Sequence, residues 1–219
     1  MRKKFTRAMK KEFTRQWAEL FPSMGIYKNM WLMNILGPIA VGLLLEVKSG
    51  NDMYYPTLHL QSLALKTDDI YLNAEITDGF EDISSYSPPD KYIKVAKRLE
   101  EQTIVPLEGD VTLKDLIKSF KAYSMRKYYE ADIPETLEIM MYLAGWAGDE
   151  AIIKEVHAFV KTRAKYLLKT NNFASQQKCD EWYEDLVTQT KNREVLQARV
   201  EEQIVALKLD HLPRRKILF

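Results

Sequence analysis

An apolar run over residues 30–45 restricts the choice of fold more than any other segment. Asn34 is the one polar side chain among its 16 residues, whereas a helix that spans a membrane needs about 20 apolar residues. Gly37 and Pro38 stand in the middle of the run, and a Gly-Pro pair is typical of a turn. The sequence therefore predicts two buried β-strands here, and no membrane span.

These strands belong to a predicted antiparallel meander with strands over 26–36, 39–47 and 54–63. The second strand carries apolar side chains on both faces, which is typical of a central strand. The third strand alternates like a half-buried strand. In that strand Leu58, Leu60 and Ser62 are expected to face the core, and Thr57, His59 and Gln61 to face away. A short fourth strand fits residues 70–76.

Helical periodicity surrounds this sheet. An amphipathic helix is predicted over 5–21, and a loop rich in Gly, Ser and Pro over 77–89 marks a change of architecture. Every later element is predicted to be helical. The expected ranges are 90–103, 112–128, 134–147 and 149–168, followed by helical stripes that continue to about residue 208. Helix 134–147 is apolar almost all round and should be central, with Gly145 and Gly148 at its exit.

The predicted fold class is therefore α+β and mainly helical, with an N-terminal helix and small antiparallel sheet packed on a C-terminal helical bundle. We expect one domain over 1–219, with subregions 1–88 and 89–219, because the apolar helix 134–147 needs cover from both. Cys179 is the single cysteine and cannot form an internal disulfide. This favours a reducing cytoplasm, and Arg7, Lys10 and Lys11 interrupt what would be the apolar part of a signal peptide.

Catalytic signatures are absent from the sequence. It contains no Gly-rich phosphate loop, no Gly-x-Ser-x-Gly and no Cys-x-x-Cys, and His59, His157 and His211 lack metal-ligand spacing. We therefore expect no catalytic residue, metal or cofactor. The net charge of +1 also gives no general attraction to nucleic acid or to a membrane surface.

The charged residues are unevenly distributed along the chain, although the net charge is small. Residues 67–90 hold seven Asp or Glu and no Lys or Arg, with aromatic residues among them. Negative charge steers a basic partner and aromatic side chains anchor it, although a solvated acidic loop would have the same composition. The candidate partner-binding residues are Asp68, Asp69, Tyr71, Asp78, Phe80, Glu81, Asp82 and Tyr86.

The first third of the chain resembles the immunity proteins of bacterial polymorphic toxins of the contact-dependent inhibition type. The likeness lies in the front helix, in the strand Gly37-Pro38-Ile39-Ala40-Val41-Gly42-Leu43-Leu44-Leu45-Glu46 and in Tyr55-Pro56-Thr57-Leu58-His59-Leu60. It is one of general character, and no functional residue carries over. The resemblance implies a non-enzymatic cytoplasmic protein that binds and neutralises a toxin domain with a basic surface. The alternatives are an enzyme of another family that uses scattered carboxylates, and a helical scaffold or adaptor.

Overall fold

The computed structural model describes residues 5–48, 52–70, 74–75, 81–84, 86–125, 133–169 and 173–219. The fold is α+β and mainly helical, as predicted. The helices within these ranges are α1 (Arg7–Leu20), α2 (Pro89–Gln102), α3 (Leu113–Ser124), α4 (Ile133–Ala147), α5 (Glu150–Lys169), α6 (Gln176–Gln189) and α7 (Arg193–Ala206). The helical stripes predicted up to about residue 208 therefore belong to two helices, α6 and α7. The side chain of Asn192 caps the start of α7.

The sheet begins with a hairpin that the sequence analysis missed. Strands β1 (Gly25–Lys28) and β2 (Trp31–Leu36) pair antiparallel, although residues 26–36 were predicted as one strand. Met30 makes the turn between them with φ of 67°, a left-handed conformation that is uncommon outside glycine. Its N–H donates to Thr14 Oγ1 of α1 at 2.7 Å. A tertiary contact therefore stabilises a turn that the local sequence does not predict.

The central strands follow the predicted meander. Strand β3 (Ile39–Val47) lies between β2 and β4 (Met53–Ser62). Two short strands, β5 (Ala74–Glu75) and β6 (Ile83–Ser84), pair with opposite ends of β4. The predicted half-exposure of β4 was wrong, because Thr57 and Gln61 are buried. The predicted fourth strand corresponds to β5, and the rest of 71–76 lies outside the described residues.

Helices cover the sheet on both faces. Trp17 of α1 donates its indole N–H to Tyr54 Oη at 2.9 Å, which places α1 on the face of β4 that carries Tyr54. The opposite face carries Gln61, which contacts Thr67, and Thr67 in turn bonds to Gln203 of α7. The sheet therefore lies between α1 on one side and the rear helices on the other, which explains the burial of Thr57 and Gln61.

Helix α4 is the predicted central helix. Its apolar side chains from Leu137 to Ala144 are nearly all buried. Gly148 ends the helix with φ of 73°, as predicted. Gly145 has a different role from the predicted one, because a Cβ there would lie 2.5 Å from the carbonyl oxygen of Thr190. It lies inside α4 and allows the turn between α6 and α7 to pack closely.

The C-terminal residues return to the front of the molecule. Strand β8 (Arg214–Arg215) pairs parallel with β2, and β9 (Ile217–Leu218) pairs parallel with β7 (Val111–Thr112). The Arg215 guanidinium, buried with its residue 8% exposed, donates to the carbonyl oxygens of Pro106, Glu108 and Gly109. We call residues 213–219 the C-terminal strap. Sequence analysis did not predict it.

One hydrophobic cluster contains residues from both predicted subregions, from Phe13 and Trp17 at the front to Leu196 and Ile204 at the rear. The packing agrees with mutual cover of the sheet and α4. Whether the two parts unfold together remains a prediction.

Candidate protein interface

The predicted partner-binding residues lie in separate places. Tyr71, Asp78 and Phe80 lie outside the described residues. Asp68 and Asp69 are exposed beside one end of β4, where Gln61 Nε2 donates to the Asp69 carbonyl oxygen at 3.4 Å.

Glu81, Asp82 and Tyr86 adjoin the other end of β4, where Ile83 pairs with Tyr54. Tyr54 and Gln61 are seven residues apart along this strand, which corresponds to roughly 23 Å at about 3.3 Å per residue. The described acidic residues therefore do not form one patch.

The negative charge near β6 is matched by cations from other segments. Glu81 pairs with Arg98 at 3.1 Å, and Asp82 pairs with Lys48 at 2.7 Å. Asp90 pairs with Lys94, and the hydrogen bond from Lys94 lowers the pKa of this carboxyl. The sequence shows no Lys or Arg within 67–90, but folding brings them in. This pairing removes much of the reason to expect a basic partner at this end of the acidic stretch.

A groove between α1 and α2 adjoins the same segment. Its volume is about 440 Å³. The lining residues are Phe13, Arg15, Gln16, Glu19, Leu20, Ser87, Pro89, Tyr92 and Ile93. Pockets for small ligands are typically about 300–1,000 Å³, so this groove is also large enough to accept a few side chains from a partner.

The base of the groove is firmly built. Tyr92 is 9% exposed, and its ring lies 6.4 Å from that of Trp17. Tyr92 and Tyr54 are hydrogen bonded, and burial raises the pKa of both phenols. Trp17 also donates to Tyr54. These aromatic residues join α1, α2 and the sheet, so the groove is present before any partner arrives.

Two large apolar side chains are exposed at this groove. Ile93 of α2 lines it and is 59% exposed, and Tyr86, next to the lining residue Ser87, is 76% exposed. Exposed aromatic and aliphatic residues beside a preformed groove are typical of an interface. Sequence analysis selected Tyr86 but missed Ile93. The position of Ile93 in the helix could have indicated its exposure, because it lies off the buried stripe formed by Tyr92, Val95, Ala96 and Leu99.

A polar network on the sheet is the nearest approach to catalytic chemistry that we find among the described residues. Tyr55 Oη donates to Glu46 Oε2 at 2.9 Å, and Thr57 Oγ1 donates to Glu46 Oε1 at 3.1 Å. His59 Nε2 lies 2.8 Å from Thr57 Oγ1. Both carboxylate oxygens accept protein hydrogen bonds and Thr57 is fully buried, so the network stabilises the pairing of β3 and β4.

Sequence analysis treated His59 as isolated and missed this network. The period of two places Tyr55, Thr57 and His59 on one face of β4, and the register sets Glu46 opposite Tyr55. The predicted alternation of β4 was sufficient to group Tyr55, Thr57 and His59, whereas the position of Glu46 opposite Tyr55 follows from the observed register.

In the described ranges, no group of three or more His, Cys, Asp or Glu side chains is placed to hold a metal ion. No helix of these ranges combines the length and apolarity that crossing a bilayer requires.

Comparison of the chain with protein-family models, with curated proteins and with solved structures gave no match.

Proposed function

We propose that this protein is a non-enzymatic binding protein of the toxin-immunity kind, which acts in the cytoplasm and neutralises a cognate toxin domain by covering its active site. The observation that carries the proposal is the groove between α1 and α2, beside which Tyr86 and Ile93 expose apolar surface. Leaving such side chains in water is unfavourable, and a partner that buries them gains about 25 cal/mol per Å² of apolar area.

The arrangement suits a protein partner better than a small molecule. The groove is open, and its exposed apolar residues lie at the rim rather than in an enclosed cavity. Small-molecule sites bury most of the ligand surface, whereas protein interfaces combine a few buried anchors with a polar rim. Arg15, Gln16 and Glu19 supply polar side chains to the α1 wall.

The test begins with the gene adjacent to the one for this protein, which the proposal expects to encode a toxin domain. Expressing that domain in bacteria should stop growth, and co-expressing this protein should restore it. The purified chains should form a stable complex on gel filtration, and the complex should lack the activity of the free toxin domain.

A catalytically inactive variant of the toxin domain provides the control, since it should bind this protein without affecting growth. The proposal is wrong if the neighbouring gene encodes no toxic domain, or if the two purified chains do not associate.

A further inference from the structure

The chemistry of the groove indicates what kind of surface enters it. We infer that the contacting segment of the toxin domain is apolar and uncharged, and that Tyr86 and Ile93 are its main anchors. This inference rests on the proposed function and adds the class of partner surface. It differs from the expectation drawn from the sequence, in which a basic surface meets an acidic segment.

The charged side chains in the walls of the groove are already paired. Arg15 and Glu19, the charged residues that line the groove, form an ion pair with each other, and Arg15 also pairs with Glu12 at 2.7 Å. Arg15 and Glu19 are already engaged in these exposed pairs, so a charged occupant would have to compete with them. It would lose hydration when it enters the groove and gain little in return.

Ion pairs also lie around the groove. Lys94 holds Asp90 and Arg98 holds Glu81. A basic partner would have to compete with cations already in place, whereas an apolar segment leaves these pairs intact. The complementary occupant is therefore uncharged where it touches the groove, and charge contributes little to its affinity.

Aromatic side chains form the base of the groove. Phe13 and Tyr92 are 6% and 9% exposed, so the rings at the base are largely covered by their neighbours. The lining residue Ile93 remains accessible beside them, and Tyr86 is exposed one residue before the lining residue Ser87. A partner side chain placed between α1 and α2 would contact Ile93 and the exposed edges of Phe13 and Tyr92, as in a segment laid into an apolar groove.

The experiment measures the affinity of the full chain for the inactive toxin domain by calorimetry. Tyr86→Ala and Ile93→Ala should each weaken binding at least tenfold, because anchor residues at interfaces commonly contribute that much. Val205→Ala is the matched control: Val205 is 68% exposed on α7, on the opposite face of the sheet. This variant should bind like the unsubstituted chain, and thermal unfolding should show that all three variants are folded.

The salt dependence tests the chemistry of the contact separately. Raising NaCl from about 0.1 M to about 1 M shortens the Debye length from about 10 Å to about 3 Å. We expect the affinity to change less than threefold over this range. The double reversal Asp68→Lys and Asp69→Lys, at the other end of β4, should also change it less than threefold.

The outcomes are distinguishable. Failure of the unsubstituted chain to bind overturns both the proposed function and this inference. If Tyr86→Ala and Ile93→Ala bind the toxin domain as tightly as the unsubstituted chain does, the groove is not the interface, while the proposed function stands. A tenfold or greater loss of affinity at high salt, or on reversal of Asp68 and Asp69, overturns the apolar chemistry and supports a basic partner.

Discussion

Trp17 joins three parts of the molecule. Its indole is fully buried and stacks on the ring of Phe21, and its N–H donates to Tyr54 Oη at 2.9 Å. Trp17→Ala should lower the free energy of unfolding by about 3 to 5 kcal/mol, because it leaves a large cavity and removes one of the two hydrogen bonds of the Tyr54 hydroxyl. Urea unfolding measures this loss.

Trp182 is the comparison for this variant, since its ring is only partly buried against Phe173. Trp182→Ala should cost clearly less than Trp17→Ala. Equal losses would contradict the view that burial sets the cost. Both indoles are structural in this sense, and neither is an exposed anchor.

Glu138 gives stability a pH dependence. Burial raises the pKa of this carboxyl above its ordinary value, although its hydrogen bond from Trp182 at 2.7 Å opposes the shift. A raised folded-state pKa means that the native state binds the proton more tightly than the unfolded chain does. The contribution to stability is therefore full below the unfolded value of about 4.3 and is lost as pH rises through the folded pKa.

Glu138→Gln should accordingly be more stable than the unsubstituted chain at neutral pH, and this advantage should shrink as pH falls towards about 4. Urea unfolding across this pH range measures the difference. Glu181→Gln is the control with the opposite sign, because Lys178 lowers the pKa of the exposed Glu181. An advantage of Glu138→Gln that is independent of pH would contradict the argument.

At the scale of elements, a buried hydroxyl of α1 holds the turn of the β1–β2 hairpin. Thr14 is 1% exposed, donates to the Lys10 carbonyl oxygen and accepts from Met30 N–H. Thr14→Val keeps the shape but leaves the Met30 N–H without its acceptor, so stability should fall by about 1 to 3 kcal/mol. Thr14→Ser keeps the hydroxyl and should cost less. Hydrogen exchange of the Met30 amide should accelerate in the valine variant only.

The elements also show how far the sequence could predict the fold. Periodicity was enough for α1, because its apolar residues recur at helical spacing. For α4 the signal was a long apolar segment with glycines at its exit. Periodicity failed at residues 26–36, since the Met30 turn depends on Thr14, which is distant along the chain. It also failed at the C-terminal strap, whose two-residue strands carry no alternating pattern.

The candidate interface was only partly predictable for the same reason. Composition identified Tyr86 within the acidic segment. Composition could not show that Arg98 and Lys48 pair with Glu81 and Asp82, because these partners come from other segments. The groove itself exists only once α1 and α2 are packed together.

At the scale of the whole molecule, the C-terminal strap connects parts that are distant in sequence. Arg215 is buried against three carbonyl oxygens, whereas its neighbour Arg214 forms an exposed ion pair with Glu201. Arg215→Leu should cost about 2 to 3 kcal/mol, since it leaves carbonyl groups unpaired. Arg214→Leu should cost less than about 1 kcal/mol. Equal thermal stability of the two variants would contradict this assignment.

The shared core predicts one cooperative transition. Trp17 reports on the front, and Trp146 and Trp182 report on the rear. Variants that keep a single one of these tryptophans and replace the others, together with Trp31, by phenylalanine should each show a fluorescence midpoint that coincides with that of far-ultraviolet circular dichroism of the same variant. Two separate midpoints, or a folded fragment 1–88, would show that the subregions are independent.

The parallel pairing of β8 with β2 also sets an order of events during synthesis. At about 5–20 residues per second, roughly 10 to 35 s separate the appearance of Ile35 from that of Arg214, its partner in the sheet. During this interval the part of β2 that β1 does not reach presents free N–H and C=O groups, to which the strand of another nascent chain can pair. Products released early from stalled ribosomes should therefore collect in aggregates, and slow translation of the rear helices should lower the yield of folded protein.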